Sequence, residues 1–138
     1  IGKGEYRITE DHGSRDNLNK SDWFVLLPNG SELWFGGLDD KERVDKILGN
    51  EYSTIKLNEC TQISWEARNT VMSRLAENSG LKLLAMYDCN PTSKKHWTYT
   101  LFEKGETPEG EKITHFEKYA SLQMNPQDNM ANLPPSSQ

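Results

Sequence analysis

The sequence predicts an α/β fold, on three observations. Residues 53–60, Ser53-Thr54-Ile55-Lys56-Leu57-Asn58-Glu59-Cys60, read as a short strand that stops on a polar pair. A helix-patterned segment and a second strand-like run, Leu81-Lys82-Leu83-Leu84-Ala85-Met86-Tyr87, come next. Strand, helix, strand is the order of a βαβ unit, which is nearly always right-handed, so the two strands lie parallel and adjacent. Ahead of them, two apolar runs flank Pro28-Asn29-Gly30, the pattern of a β-hairpin.

The totals suit one domain of this kind. The chain has 138 residues, 34% of them hydrophobic, so its core is modest. Mean hydropathy is −0.83. The net charge of −5 argues against a nonspecific nucleic-acid coat, though not against a local basic patch. No apolar run reaches the roughly 18 residues of a membrane span. Cys60 and Cys89 have no disulfide-framework or metal-ligand spacing and read as reduced cytosolic thiols packed near each other at the strand ends. The start, Ile1-Gly2-Lys3-Gly4-Glu5, is not a signal peptide and lacks an initiator Met, which reads as a processed or cut piece. Three regions follow: an irregular arm over 1–21, an α/β domain over 22–120, and a tail or linker start over 121–138.

In order, the arm is polar, with one short strand expected near Tyr6-Arg7-Ile8 and a solvated His12. Trp23-Phe24-Val25-Leu26-Leu27 is continuously apolar, as in a strand covered on both faces. Glu32-Leu33-Trp34-Phe35-Gly36 is the return strand, closed by Gly36-Gly37. A double glycine lets backbone approach a phosphate, but a plain turn is the simpler reading. Asp39 and Glu42 have capping-box spacing for a helix with Val44, Ile47 and Leu48 on one face, and Gly49 suits a left-handed stop. Arg43, Asp45 and Lys46 face solvent on this helix or reach a neighbouring subunit.

After the central strand, Ser64 caps a longer helix with Ala67, Val71 and Leu75 along one side, running to Asn78-Ser79-Gly80. The second parallel strand covers 81–87 and ends in the polar loop Asp88-Cys89-Asn90-Pro91-Thr92-Ser93. Ser93 suits the cap of a helix over 94–103 with Trp97, Leu101 and Phe102 inward. Lys94, Lys95 and His96 would sit on its first turn, where cations oppose the helix dipole, which points either to an anion such as phosphate or DNA or to plain solvated surface lysines. Gly105 closes this helix, Thr107-Pro108-Glu109-Gly110 turns the chain, and 112–120 alternate enough for a last strand.

The chemistry concentrates where the two parallel strands end. In open α/β sheets ligands bind at the carboxyl ends of the strands. A glutamate there can orient a water and accept its proton, or help hold a metal through water. An acidic strand end beside an Asn-containing loop is how ATPases of the additional-strand class are built, a P-loop-NTPase-type sheet with helices packed on it. Such catalysis is mainly positioning and charge neutralisation. The phosphate-cradling pattern Gly-x-x-x-x-Gly-Lys-Ser/Thr does not occur in these 138 residues.

Several runs together carry a family resemblance: residues 30–43, Ile47-Leu48-Gly49-Asn50-Glu51-Tyr52, Leu57-Asn58-Glu59-Cys60, Tyr87-Asp88-Cys89-Asn90-Pro91, and Lys94-Lys95-His96-Trp97. In order and spacing this set resembles the ATPase domain of tailed-phage terminase large subunits, over roughly residues 20 to 126. The resemblance implies a partial P-loop-NTPase-type α/β domain of a motor that drives DNA into a procapsid. ATP and Mg²⁺ are the implied cofactors. Double-stranded DNA, the portal protein, the small terminase subunit and other copies in a ring are the implied partners, in the host cytoplasm. By position, Glu59 matches the catalytic glutamate of the Walker B motif, and Asn58 takes the place often held by a magnesium-associated aspartate. Asn90 and Pro91 match the coupling motif, and Arg43 and Lys46 are the cations nearest the place of the trans-acting arginine.

The leading expectation is an internal piece of a packaging ATPase, starting after the phosphate-binding loop, stopping before the nuclease domain and nearly inactive alone. The alternative is a non-enzymatic, prophage-derived interaction domain, with Trp23, Trp34, Trp65 and Trp97 as core or as contact anchors. A metal-dependent nuclease using Asp88 and Glu59 ranks third, because two carboxylates are too few for a two-metal site. Lys56 is the residue at odds with a buried strand, where an unpaired ammonium is costly.

Overall fold

The computed structural model describes residues 18–19, 24–39 and 41–132. The strand expected at Tyr6-Arg7-Ile8, together with His12, Trp23 and the segment 133–138, lies outside them. The chain divides into two compact units, Ile1–Ile55 with Asn69–Leu84, and Lys56–Arg68 with Ala85–Gln138. It is α/β, with small sheets and several short helices. Among the described residues no helix is long and apolar enough to cross a membrane.

The first unit begins with a three-stranded antiparallel sheet, β1 (Leu18–Asn19), β2 (Phe24–Leu26) and β3 (Glu32–Trp34), in that order. The expected hairpin is present, with Leu26 opposite Glu32 and Phe24 opposite Trp34. Gly30 takes φ +84°, and the Asn29 side chain accepts from the Ser31 N–H at 3.0 Å, so both turn residues serve the turn. Phe24 and Trp34 stack at 4.6 Å across the strands. Coverage on both faces does not hold: Leu26 and Leu33, on opposite faces, are 42% and 49% exposed, so this short sheet leaves both faces partly open. The paired strand at Leu18–Asn19 falls in the arm expected to be irregular.

Helix α1 (Lys41–Leu48) follows, none of its residues fully buried. Ile47 reaches the hairpin exit: a Cβ on Gly36 would stand 2.5 Å from its Cδ1, so this glycine makes room for packing. Gly49 does not take the expected left-handed conformation. Bonds from Gly49 N–H to the Lys46 carbonyl (3.3 Å) and from Asn50 N–H to the Ile47 carbonyl (3.4 Å) tighten the last turn instead.

Strands β4 (Thr54–Leu57) and β5 (Leu84–Tyr87) form the second sheet. Leu84 N–H donates to the Ser53 carbonyl (3.0 Å) and Asp88 N–H to the Leu57 carbonyl (3.0 Å). The constant sequence offset makes the pair parallel, as expected. Between them runs α2 (Trp65–Met72), its first turn capped by Ser64 Oγ, which accepts from the Ala67 N–H at 3.1 Å.

Two boundaries differ from the sequence reading, for one reason. Helix α2 stops at Met72, before Asn78, and β5 begins at Leu84, after Leu81. Tyr52 N–H donates to the Arg74 carbonyl (2.7 Å), and the Tyr52 carbonyl accepts from the Glu77 N–H (3.2 Å). The backbone groups that would continue the helix are thus committed to the chain ahead of β4. That leaves no strand partner there for 81–83. In this unit Ile55 and Val71 are buried.

The second unit buries Leu57, Cys60, Trp97 and Leu101. Trp97 lies in α3 (Trp97–Tyr99), which continues as a π-turn over Thr100–Lys104. Its Nε1 donates to the Ile63 carbonyl at 2.7 Å, satisfying the one polar atom of a buried indole. Arg68 lies over the Trp65 ring (5.1 Å) and the Tyr87 ring (5.7 Å), and its Nε donates to the Tyr87 hydroxyl at 3.0 Å. Burial pushes the Tyr87 hydroxyl pKa up, against the pull of Arg68.

The expected helix over 94–103 starts later, at Trp97. Ser93 turns the chain first, its Oγ accepting from Lys95 N–H (3.2 Å) and its carbonyl from His96 N–H (2.9 Å). His96 is the cap, Nδ1 accepting from Thr98 N–H at 3.2 Å. Gly105 ends the π-turn at φ +67°, with the Phe116 ring against its α-carbon. The strand expected over 112–120 reduces to one bridge, Lys112 with Glu106. His115, at φ +59°, turns the chain out of extended geometry, and a 3-10 turn at Phe116–Lys118 follows.

Candidate functional site

Both parallel strands stop at the same edge, and the residues just beyond them line one open pocket of about 270 Å³: Asn58, Glu59, Asp88, Cys89 and Asn90. This is the juxtaposition that the strand order predicts, and it lies wholly within the second unit.

The geometry centres on Asp88. Its Oδ1 accepts the Glu59 N–H at 2.9 Å, and its backbone carbonyl accepts the next N–H, that of Cys60, at 2.9 Å. Its Oδ2 pairs with Lys56 Nζ at 3.0 Å. Asn58, with its amide nitrogen turned toward the carboxylate, donates to Oδ1 at 3.1 Å and Oδ2 at 3.3 Å. The Glu59 N–H first, and Lys56 second, hold the Asp88 carboxyl below its usual pKa.

Lys56 is therefore no buried ammonium. Strand β4 alternates exposed and buried residues, which puts Lys56 outward with Thr54 while Ile55 and Leu57 point in. The Asp88 N–H bonds to the Leu57 carbonyl, which in a parallel ladder sets Asp88 opposite Asn58, on the same outward face as Lys56. Sequence reasoning missed this ion pair. Its signal was the period-2 spacing of Lys56 and Asn58, readable only once the register is known.

Glu59 turns sharply away from the strand. Its backbone is left-handed, φ +49° and ψ +47°, and the 3-10 turn Cys60–Gln62 begins at the next residue. That conformation costs a residue with a side chain about 1–2 kcal/mol. The Glu59 carboxylate is exposed, with Oε2 accepting from Gln62 Nε2 at 3.3 Å. Beneath it, Cys60 is 1% exposed, and burial, with Cys89 against it, pushes its thiol pKa up to about 12. Both cysteines are free, and Cys89 is exposed.

The remaining predicted residues fall elsewhere. Pro91 is exposed, next to Asn90 but not among the lining residues. Arg43 and Lys46 belong to α1 in the first unit, where Arg43 pairs with Asp39 at 3.6 Å. Lys94, Lys95 and His96 precede α3 and do not line the pocket, and Lys94 Nζ lies 6.0 Å from the Tyr99 ring.

The chain matches the family model described as phage terminase large subunit over residues 13–132. It belongs to the phage terminase large subunit family. No curated protein and no solved structure matches it. Membership gives this terminase chain a part in phage DNA packaging, a task that involves DNA and portal-related machinery. The donor set of the pocket constrains any metal in this family member. Among the described residues no group of three His, Cys, Asp or Glu side chains is arranged to hold an ion. Asp88 is already engaged by Lys56 and the Glu59 N–H. The pocket therefore does not suit a cation held by protein groups alone. It fits Mg²⁺ only in that ion's usual mode, with one or two carboxylates and the rest of the shell from phosphate and water.

Proposed function

We propose that this chain forms the hydrolytic edge of a packaging ATPase of P-loop-NTPase type, which couples ATP hydrolysis to translocation of double-stranded DNA into a procapsid. The observation that carries the reading is the parallel pair β4–β5, which brings Glu59 and Asn90 to one pocket at the carboxyl edge. Glu59 acts as the general base, orienting the attacking water and taking its proton. Asn58, which lines the same pocket, would help hold Mg²⁺, which would supply charge neutralisation when bound with nucleotide. Asn90, with Pro91 after it, senses the γ-phosphate and passes the change along the loop. Arg43 and Lys46 are the candidates for a cation acting on a neighbouring copy in a ring. Lys94, Lys95 and His96 are candidates for phosphate or DNA contact. The portal protein and the small terminase subunit are the further partners of this reading.

The 138 residues contain no Gly-x-x-x-x-Gly-Lys-Ser/Thr loop, so the chain alone should turn over little ATP. The test is Glu59→Gln in a terminase large subunit that carries this segment together with a phosphate-binding loop. Steady-state turnover should fall by about 10²–10⁴-fold with nucleotide affinity retained. Undiminished turnover would remove Glu59 from the chemistry and favour a non-catalytic interaction domain.

A further inference from the structure

Among the described residues only Glu59 and His115 have positive φ without being glycine. Strain of this kind persists where the surroundings over-determine it, and it gathers at functional sites. At Glu59 those surroundings are Gln62, whose N–H donates to the Glu59 carbonyl at 3.0 Å and whose Nε2 donates to Glu59 Oε2 at 3.3 Å, and Asp88. Asp88 takes two consecutive N–H groups, Glu59 on its side chain at 2.9 Å and Cys60 on its backbone carbonyl at 2.9 Å. The first bond fixes the peptide plane before the Glu59 α-carbon and the second the plane after it, so together they set its left-handed φ and ψ.

We propose that Asp88 is a positioning residue for Glu59: its Oδ1 holds the Glu59 backbone in the left-handed turn that presents the glutamate to the pocket. Lys56 and Asn58 in turn hold the Asp88 carboxylate, so its direction is set from β4 and its attachment from the end of β5. The two strand ends are thereby joined at the side chain as well as along the ladder. A change at Asp88 reaches the proposed base through the two bonds that Asp88 accepts from the Glu59 and Cys60 N–H groups. The kinetic part of this inference rests on Glu59 being the general base. The backbone part does not.

The test compares Asp88→Ala, which removes the acceptor, with Asp88→Asn, which keeps an oxygen in its place and loses the charge. In a terminase large subunit carrying this segment, D88A should lower kcat for ATP by about tenfold to a hundredfold with KM nearly unchanged, the signature of a misaligned base. D88N should stay within about threefold of the parent, because the Glu59 N–H keeps a partner. In the 138-residue chain, deuterium exchange at the Glu59 amide should quicken about tenfold in D88A and little in D88N. If D88A does not fold, Lys56→Met takes its place. It removes the ion pair and leaves Asn58 on the carboxylate, and should lower kcat by about two- to fivefold with KM unchanged.

Equal losses in D88A and D88N would mean that charge, not the acceptor, is what matters, and would overturn the proposal. So would normal kcat and unchanged amide exchange in D88A, or normal kcat in K56M where D88A fails to fold. Glu59→Gln is measured in parallel. If E59Q is inactive and D88A is normal, only the positioning inference fails. If E59Q is itself active, the general-base reading fails and takes the kinetic part with it, while amide exchange still judges the hold on the backbone.

Discussion

Two left-handed turns in the second unit solve the same geometric problem with opposite residues. At the end of the π-turn the chain reverses at Gly105, φ +67°, and the space a side chain would fill is taken by the Phe116 ring. At the end of β4 it reverses at Glu59, φ +49°, where the side chain is kept and stands at an open pocket. Glycine adopts such angles with little penalty, and glutamate does not. The first turn is built for packing alone. The second retains a carboxylate against its local preference, with its N–H bonded to Asp88.

Exchanging the solutions tests this contrast. The largest effect belongs to Glu59→Gly in an active terminase context. Turnover should fall by about a hundredfold or more, while chemical denaturation finds the fold unchanged or up to about 1 kcal/mol more stable, since the backbone strain is relieved. A loss of stability in that variant would mean that the carboxylate serves the fold. Gly105→Ala should do the reverse. A Cβ there meets Phe116 ring atoms at 2.9, 3.0 and 3.1 Å, so a loss of about 2–3 kcal/mol in a urea melt follows from strain plus overpacking.

Two smaller effects concern the ground beneath the Glu59 turn. Cys89 should react with a thiol reagent at least about tenfold faster than Cys60, whose thiol is buried and stays protonated with a pKa of about 12. Comparable labelling would mean that the turn opens readily. The smallest effect is the pH dependence from Asp88. Its folded pKa lies below the ordinary value of 3.8. The stabilisation it gives is therefore present above that value and is lost as pH falls through the folded one. Thermal melts of the parent and of Asp88→Asn should differ at pH 6 and converge as pH falls through the folded pKa of Asp88.

Local sequence signals account for the hairpin, α1, the parallel strands and the clustering of Asn58, Glu59 and Asn90. Each rests on neighbours along the chain: Pro28-Asn29-Gly30 as turn residues, Val44, Ile47 and Leu48 at helical spacing, and apolar runs ending on polar residues. The errors came where distant backbone claimed a local group. Leu75 and Ala76 continue the apolar pattern of α2, but the Arg74 carbonyl and the Glu77 N–H are bonded to Tyr52. Residues 112–120 alternate like a strand, but the pairing stops after Lys112 and Ile113, and His115 turns the chain away.

Family and chemical vocabulary were already in the order of residues, because a strand end, a glutamate and an asparagine loop are properties of short stretches. The grip on Glu59 was not. It needs Lys56 and Asn58 on one side of β4, Asp88 set opposite Asn58 by the ladder, and a backbone angle that glutamate disfavours when alone. Strand register and a strained dihedral are imposed by partners about thirty residues away. They come into being only when the chain has folded.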